Sequence, residues 1–125
     1  MRSFRLAAPT LAALGAAALA LPAAARAPAR MLVTAQEWSL TLSRGTVPAG
    51  ALTVELFDRG QDAHNLNIRR VGSRGALVGF AQAVALAQAG RLTDATWHLA
   101  PGRYELYCSL PGHAQKGMRA YLTVR

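Results

Sequence analysis

The sequence has a single cysteine, Cys108, among its 125 residues. One thiol cannot provide an internal disulfide, a zinc site of four thiolates or an iron–sulfur cluster held by cysteines. Acidic residues are also few, with 6 Asp and Glu against 14 Lys and Arg, and the formal net charge is +8. All but one of the basic residues are Arg in an Ala-rich chain, which indicates genomic base bias. The charge is therefore weak support for a nucleic-acid partner, and we expect none.

Residues 1–27 have the pattern of a secretory signal peptide. Arg2 and Arg5 precede an uncharged run rich in Ala and Leu, and residues 25–27 form an A-x-A cleavage site. The alternative is an uncleaved anchor, because the apolar run is near the lower length limit for a membrane span. Two prolines and a glycine interrupt the run, which favours cleavage. We predict export to the periplasm or another extracytoplasmic site, with contact to the membrane only through this segment.

Residues 28–125 are then expected to form one compact domain. A content of 52% hydrophobic residues over the whole chain is unlike that of a disordered protein. A domain of this size buries only about 60 to 65% of its unfolded surface, so its core is thin. Small exported domains often reinforce such a core with disulfides, which a single cysteine cannot form internally. Cys108 is thus predicted to be an unpaired thiol or a metal ligand.

Short strands separated by turns dominate this domain. Trp38–Leu42 and Leu52–Leu56 alternate apolar and polar residues with a period of two, as half-buried strands do. Further strands are predicted at Met31–Ala35, Asn65–Val71, Thr96–Leu99, Tyr104–Cys108 and Ala120–Val124. About seven short strands predict an all-β fold, a Greek-key antiparallel β-sandwich.

One segment differs from the others. Phe80–Ala89 is rich in Ala and Gln, and Phe80, Val84 and Ala87 have helical spacing. Gly90 follows at the place of a helix C-cap. We therefore predict one short helical insertion in the sandwich.

Metal-binding chemistry is concentrated near the C-terminus. Cys108, His113 and Met118 bring a thiolate, an imidazole and a thioether within eleven residues, on a loop tightened by one proline and two glycines. His64, at the start of a predicted strand, can supply a second imidazole. Soft sulfur with imidazole selects copper, and two His, one Cys and a weak axial Met form a copper electron-transfer site. These four residues are the predicted metal ligands.

Each ligand candidate alone is more often structural. A lone strand histidine is usually hydrogen-bonded in the fold, Met fills gaps in cores, and free Cys is commonly a buried small hydrophobe. Their spacing, the interleaved turn residues and the export signal together favour copper. Zinc is the weaker alternative, because Met suits neither structural nor catalytic zinc. His98 lies outside the motif, and we expect it to be an exposed strand residue without a ligand role.

These segments resemble the cupredoxins, the small type 1 (blue) copper proteins. The resemblance extends over about residues 45–125, and the Cys-x4-His-x4-Met spacing is similar to that of auracyanin- and rusticyanin-like members. It rests on a Pro-Ala-Gly turn and strand, a first ligand segment, and a Pro-Gly-x-Tyr strand leading into the ligand loop. These are Gly45–Leu56, Gly60–Ile68 and Pro101–Met118.

The resemblance implies a cupredoxin-like sandwich that holds one copper ion, which cycles between Cu(I) and Cu(II). His64, Cys108 and His113 would be the equatorial ligands and Met118 the axial one. His113 would approach solvent and pass the electron.

The resemblance also implies two features of the surroundings of these ligands. Asn65 and Ser109 would brace the two ligand segments by hydrogen bonding. The candidates for an apolar rim around the exposed histidine edge are Leu110, Pro111 and Ala114.

The function expected is that of an exported mononuclear copper protein that shuttles single electrons between redox protein partners and acts as a monomer. Two alternatives remain, a copper-handling protein that stores or delivers the ion, and an interaction domain whose metal is incidental. We expect no enzymatic activity. Three histidines are too few for a second copper centre, and a thiolate-bridged binuclear centre needs two cysteines.

The basic residues suggest which redox partners fit. Lys116 and Arg119 lie in or beside the ligand loop, and Arg69, Arg70 and Arg74 follow His64. A positive docking face would favour an acidic cytochrome or oxidase domain. The alternative is that these are ordinary solvated side chains.

Overall fold

The computed structural model describes residues 25–125. Residues 1–24 of the predicted signal peptide lie outside the described part, and residues 25–28 are exposed and form neither strand nor helix. Within the described residues, no helix combines the length and apolar character needed to cross a membrane.

Residues 25–125 form nine strands, numbered in chain order. They are β1 (Ala29–Gln36), β2 (Ser39–Leu42), β3 (Thr46–Val47), β4 (Gly50–Asp58), β5 (His64–Val71), β6 (Leu77–Ala87), β7 (Leu92–Leu99), β8 (Gly102–Tyr107) and β9 (Arg119–Val124). The helical segments of the same part of the chain are a 3-10 turn, Ser73–Gly75, and the single-turn helix α1, His113–Lys116.

The strands build two sheets, with the orders β2-β1-β4-β7 and β3-β9-β8-β5-β6. The predicted all-β sandwich is confirmed. Two strand pairs, β1 with β4 and β3 with β9, are parallel, so both sheets are mixed and not purely antiparallel. The chain can form these parallel pairs because it changes sheet between them, which provides the crossover that parallel strands require.

The core lies between the sheets and follows the alternation read from the sequence. Leu52, Val54 and Leu56 of β4 are fully buried, and the residues between them are half-buried. Trp97 of β7 is the bulkiest of the fully buried side chains. Complete burial of one such large apolar side chain contributes about 1.5 to 3 kcal/mol, so these inward positions stabilise the sandwich.

The predicted helix at Phe80–Ala89 is wrong, because this segment belongs to β6 and its end. Ala87 of β6 pairs with His64 of β5, and Val84 pairs with Leu66. The two β6 residues are three positions apart, whereas their β5 partners are two positions apart, so β6 has one extra residue. This extra residue is a β-bulge, and it turns both Val84 and Ala87 into the core. The apparent helical spacing therefore came from a bulged strand, and pairing with β5 overrides the helix propensity of Ala and Gln.

Three connections of the chain meet at one end of the sandwich. Because β1 and β4 are parallel, the turn after β1 and the loop after β4 lie at the same end. At that end β5 begins and the antiparallel β8 finishes, with Asn67 opposite Tyr107. Strand β9 starts opposite the same tyrosine, at Arg119. The loop from β8 to β9 therefore lies beside the start of β5.

Candidate metal centre

Three predicted ligands converge at this end of the sandwich. His64 is the first residue of β5, Cys108 directly follows β8, and His113 is the first residue of α1. One donor atom from each lies within 4.8 Å of the other two. Nδ1 of His64 is 3.2 Å from Nδ1 of His113, and Sγ of Cys108 is 3.6 Å from the same nitrogen.

These separations fit one shared metal ion. Nitrogen and thiolate ligands lie about 2.0 to 2.3 Å from such an ion, so three of them around it in one plane are about 3.5 to 4 Å apart. His64 and Cys108 are fully buried, and His113 is half-buried. Two imidazoles and one cysteine sulfur are the trigonal donor set of copper electron-transfer sites, whereas calcium and magnesium take oxygen ligands.

Met118 lies at the base of the same loop. Its side chain is fully buried. The backbone N–H of Cys108 donates to the carbonyl of Met118 over 3.2 Å, and the N–H of Met118 donates to the carbonyl of His113 over 3.2 Å. The loop thus closes on itself at Met118, whose role as the axial ligand stays a prediction.

Two glycines allow the ligand loop to fold tightly around α1. Gly112 precedes the helix with φ of 80°, and Gly117 follows it with φ of 126°. Residues with a side chain rarely adopt such angles. A Cβ atom at Gly117 would also lie 2.8 Å from the backbone oxygen of Trp38, so the loop packs directly on the turn after β1.

No protein-family model and no curated protein matches the chain. Solved structures do match it. Dithionite-reduced auracyanin from Roseiflexus castenholzii is 21% identical, with a TM-score of 0.61 over 80% of this chain and 99% of that one. Auracyanin A from Chloroflexus aurantiacus, a "blue" copper protein, is 16% identical, with a TM-score of 0.60 over 79% and 100%. Rusticyanin from Thiobacillus ferrooxidans is 18% identical, with a TM-score of 0.62 over 77% and 76%.

The chain has the cupredoxin fold. At these identities the likeness concerns the fold alone, and the arrangement of donor atoms is an observation made independently on this chain.

In this cupredoxin fold, the predicted bracing of the ligand segments by Asn65 and Ser109 is confirmed. Nδ2 of Asn65 donates to Oγ of Ser109 over 2.9 Å, and the backbone N–H of Ser109 donates to Oδ1 of Asn65 over 2.8 Å. Asn65 follows His64 and Ser109 follows Cys108. The pair therefore fastens the two strand ends that carry the buried ligand candidates.

Glu37, in the turn after β1, is a site residue that the sequence analysis missed. Its Oε1 lies 3.0 Å from Nε2 of His64 and accepts the backbone N–H groups of Gln61 and Asp62 over 2.9 and 2.8 Å. The hydrogen bond from Asp62, aided by those from Gln61 and His64 and opposed by partial desolvation, lowers the pKa of Glu37 to about 2. The sequence signal for this residue was an acidic side chain in the turn between two predicted strands, which does not identify its partner.

Trp38, the next residue in the turn, contacts the other histidine. Its ring centroid is 4.9 Å from that of His113, edge to face at 79°. Nζ of Lys116 lies 4.0 Å from the centroid of the Trp38 ring, a cation–π contact. The turn Glu37–Trp38 therefore touches both histidines, one through a carboxylate and the other through an indole.

The surface around His113 is partly apolar. Of the predicted rim residues, Pro111 is exposed and Leu110 is half-buried, whereas Ala114 is buried and adds little surface. His98 is exposed on β7, as predicted for a histidine outside the site.

The basic residues do not form one face at this site. Arg70 is six residues along β5 from His64, which is about 20 Å at 3.3 Å per residue. Its side chain binds the carbonyl of Pro101, beyond the far end of β8. Arg119 is paired with the buried Glu105. The expectation that the arginines after His64 join the docking face is therefore wrong. In the described structure, Lys116 is the cation of the ligand loop that has no carboxylate partner.

Proposed function

We propose that this chain is an exported type 1 copper protein that carries single electrons between redox proteins and has no substrate turnover of its own. His64, Cys108 and His113 would hold one copper ion, with Met118 as the weak axial ligand. The observation that carries the proposal is the convergence of two imidazole nitrogens and one buried cysteine sulfur within 4.8 Å. The donor set and the cupredoxin fold support the same conclusion.

The ligand candidates are held by the scaffold rather than by a flexible segment. His64 and Cys108 adjoin neighbouring strands, and the bonds between Asn65 and Ser109 fix their separation. Copper, when bound, supplies a one-electron couple at these ligands. Because the side chains are packed and hydrogen-bonded, they can keep nearly the same positions in both oxidation states. A site that moves little transfers an electron with a low reorganisation cost.

His113 is proposed as the route of the electron to the surface. It is half-buried, whereas His64 and Cys108 are shielded from solvent. Exposed Pro111 and half-buried Leu110 precede it in the loop, and the cation Lys116 contacts Trp38, whose ring packs against His113. Such a small surface suits weak redox encounters, which bury less than about 1,200 Å². One cation favours an acidic partner only modestly, so the rate of electron transfer to an acidic partner should fall with ionic strength.

Copper titration followed by absorption spectroscopy tests the site. The purified protein should develop a strong thiolate-to-copper band at one copper per chain, and Cys108→Ala should abolish it. His98→Ala is the matched control, because this exposed histidine lies outside the cluster, and it should keep the band. A wild-type protein that binds copper without the band would overturn the proposal.

Voltammetry then separates electron transfer from copper delivery. A carrier should give a reversible one-electron wave and keep its copper in the presence of a competing chelator. Ready loss of copper with slow electron exchange would instead indicate a delivery protein.

Export is proposed from residues 1–27 and has its own test. The protein recovered from the cell envelope should begin at Pro28, which N-terminal sequencing or intact mass would establish. A protein that retains residues 1–27 and stays in the membrane fraction would indicate an anchor.

A further inference from the structure

Glu37 contacts the candidate metal centre without belonging to the ligand set. It lies in the turn between β1 and β2, 27 residues before its partner His64. Its carboxylate reaches the ring nitrogen of His64 that faces away from the other ligand candidates. The inference below rests on the proposed function, since it concerns how this chain prepares His64 for copper.

The contact determines which nitrogen of His64 is free to bind a metal. Nε2 lies 3.0 Å from Oε1 of Glu37, while Nδ1 faces His113 at 3.2 Å. An ionised carboxylate only accepts hydrogen bonds, so it favours the proton on Nε2. The lone pair of a neutral imidazole is then on Nδ1, on the side of the cluster.

The carboxylate is itself held in place. The backbone N–H groups of Gln61 and Asp62 donate to Oε1 of Glu37. The same N–H of Gln61 also donates to Oε2, with its nitrogen 3.1 Å away. At Gly60 an added Cβ would collide with the carboxylate of Glu37, so the loop closes around it without room for a side chain. This loop leads directly into β5. The turn that carries Glu37, the loop before β5 and the side chain of His64 therefore position one another.

We propose that Glu37 is a positioning residue of the candidate copper centre, which fixes the tautomer and orientation of His64 and favours the cupric over the cuprous state. A carboxylate bonded to a ligating histidine raises the basicity of the imidazole, and losing such a partner typically weakens metal binding 10- to 100-fold. A negative charge near the metal stabilises the higher oxidation state more than the lower one. Glu37 would thus lower the reduction potential.

Nuclear magnetic resonance of the apoprotein tests the positioning without copper. The ring nitrogen shifts of His64 should show the proton on Nε2 in the wild type. Glu37→Gln keeps an acceptor oxygen and should preserve this tautomer, whereas Glu37→Ala should give a mixture of tautomers. Amide protons of Gln61 and Asp62 should exchange faster in Glu37→Ala. A wild type with its proton on Nδ1, or an alanine variant identical to it, overturns the inference.

The reduction potential of the copper-loaded protein tests the effect of charge. In Glu37→Gln, Cu(II) affinity should fall at least tenfold relative to Cu(I) affinity, which for one electron raises the potential by at least about 59 mV. Glu55→Gln is the matched control, because it removes a carboxylate that is paired with Arg30 on the half-buried outer face of β4, and it should leave the potential unchanged.

The outcomes separate this inference from the proposed function. A wild type without the thiolate-to-copper band refutes the copper site itself. A wild type with the band, but with the same potential as Glu37→Gln, refutes the role of Glu37 alone. If Glu37→Ala does not fold, the glutamine variant still decides the matter through its potential.

Discussion

Replacing Gly117 by alanine should destabilise the apoprotein more than replacing Gly112. Both glycines have positive φ, 126° and 80°, and a side chain in a left-handed conformation costs about 1 to 2 kcal/mol. At Gly112 the new Cβ meets nothing within 4 Å, so conformational strain is its whole cost. At Gly117 the Cβ would lie 2.8 Å from the backbone oxygen of Trp38. Overpacking of this kind adds about 1 to 3 kcal/mol.

The expected losses are therefore about 1 to 2 kcal/mol for Gly112→Ala and about 2 to 5 kcal/mol for Gly117→Ala. Urea unfolding of the two apoproteins measures them directly. In a domain of about 100 residues, each 1 kcal/mol also shifts Tm by about 4 to 8 °C, so thermal unfolding should separate the variants. Equal losses for both variants would show that the ligand loop does not pack on the turn after β1.

Three further predictions concern the supports of the site. Asn65→Ala removes both hydrogen bonds to Ser109 and should cost about 1 to 3 kcal/mol in urea unfolding of the apoprotein; an unchanged midpoint would contradict the brace. Arg119→Met leaves the buried carboxylate of Glu105 without its partner and should cost about 1 to 3 kcal/mol, which adding Glu105→Gln should largely restore. Because folding lowers the pKa of Glu37 from 4.5 to about 2, its contribution to apoprotein stability is complete above pH 4.5 and declines as the pH falls toward 2. Acid titration of Glu37→Gln should lack this part of the decline, and an identical acid profile would contradict it.

The parts of the fold that sequence reasoning reached are those with local patterns. Leu52, Val54 and Leu56 alternate with polar residues, and β4 buries them as expected. In the same way, Cys108 and His113 lie on one loop, so their proximity follows from the spacing. Such patterns need no knowledge of which strands are neighbours.

The parts that sequence reasoning missed depend on strand pairing. The step from Val84 to Ala87 resembles a helix until β5 is placed opposite it, and only then is it a bulge. Glu37 lies 27 residues from His64, and their contact exists because β1 and β4 run parallel and end together. No local pattern shows that parallel register, so the carboxylate beside the site could not be predicted.

The bulge in β6 also bears on the solubility of the protein. β6 is the outer strand of the five-stranded sheet, and exposed Leu77 and Val78 lie at its start. A long, flat outer strand offers unpaired backbone groups on which another copy can extend the sheet. Register shifts at two places bend β6 away from this shape. The bulge that gives β6 a helix-like spacing of apolar residues in the sequence thus also discourages edge-to-edge aggregation.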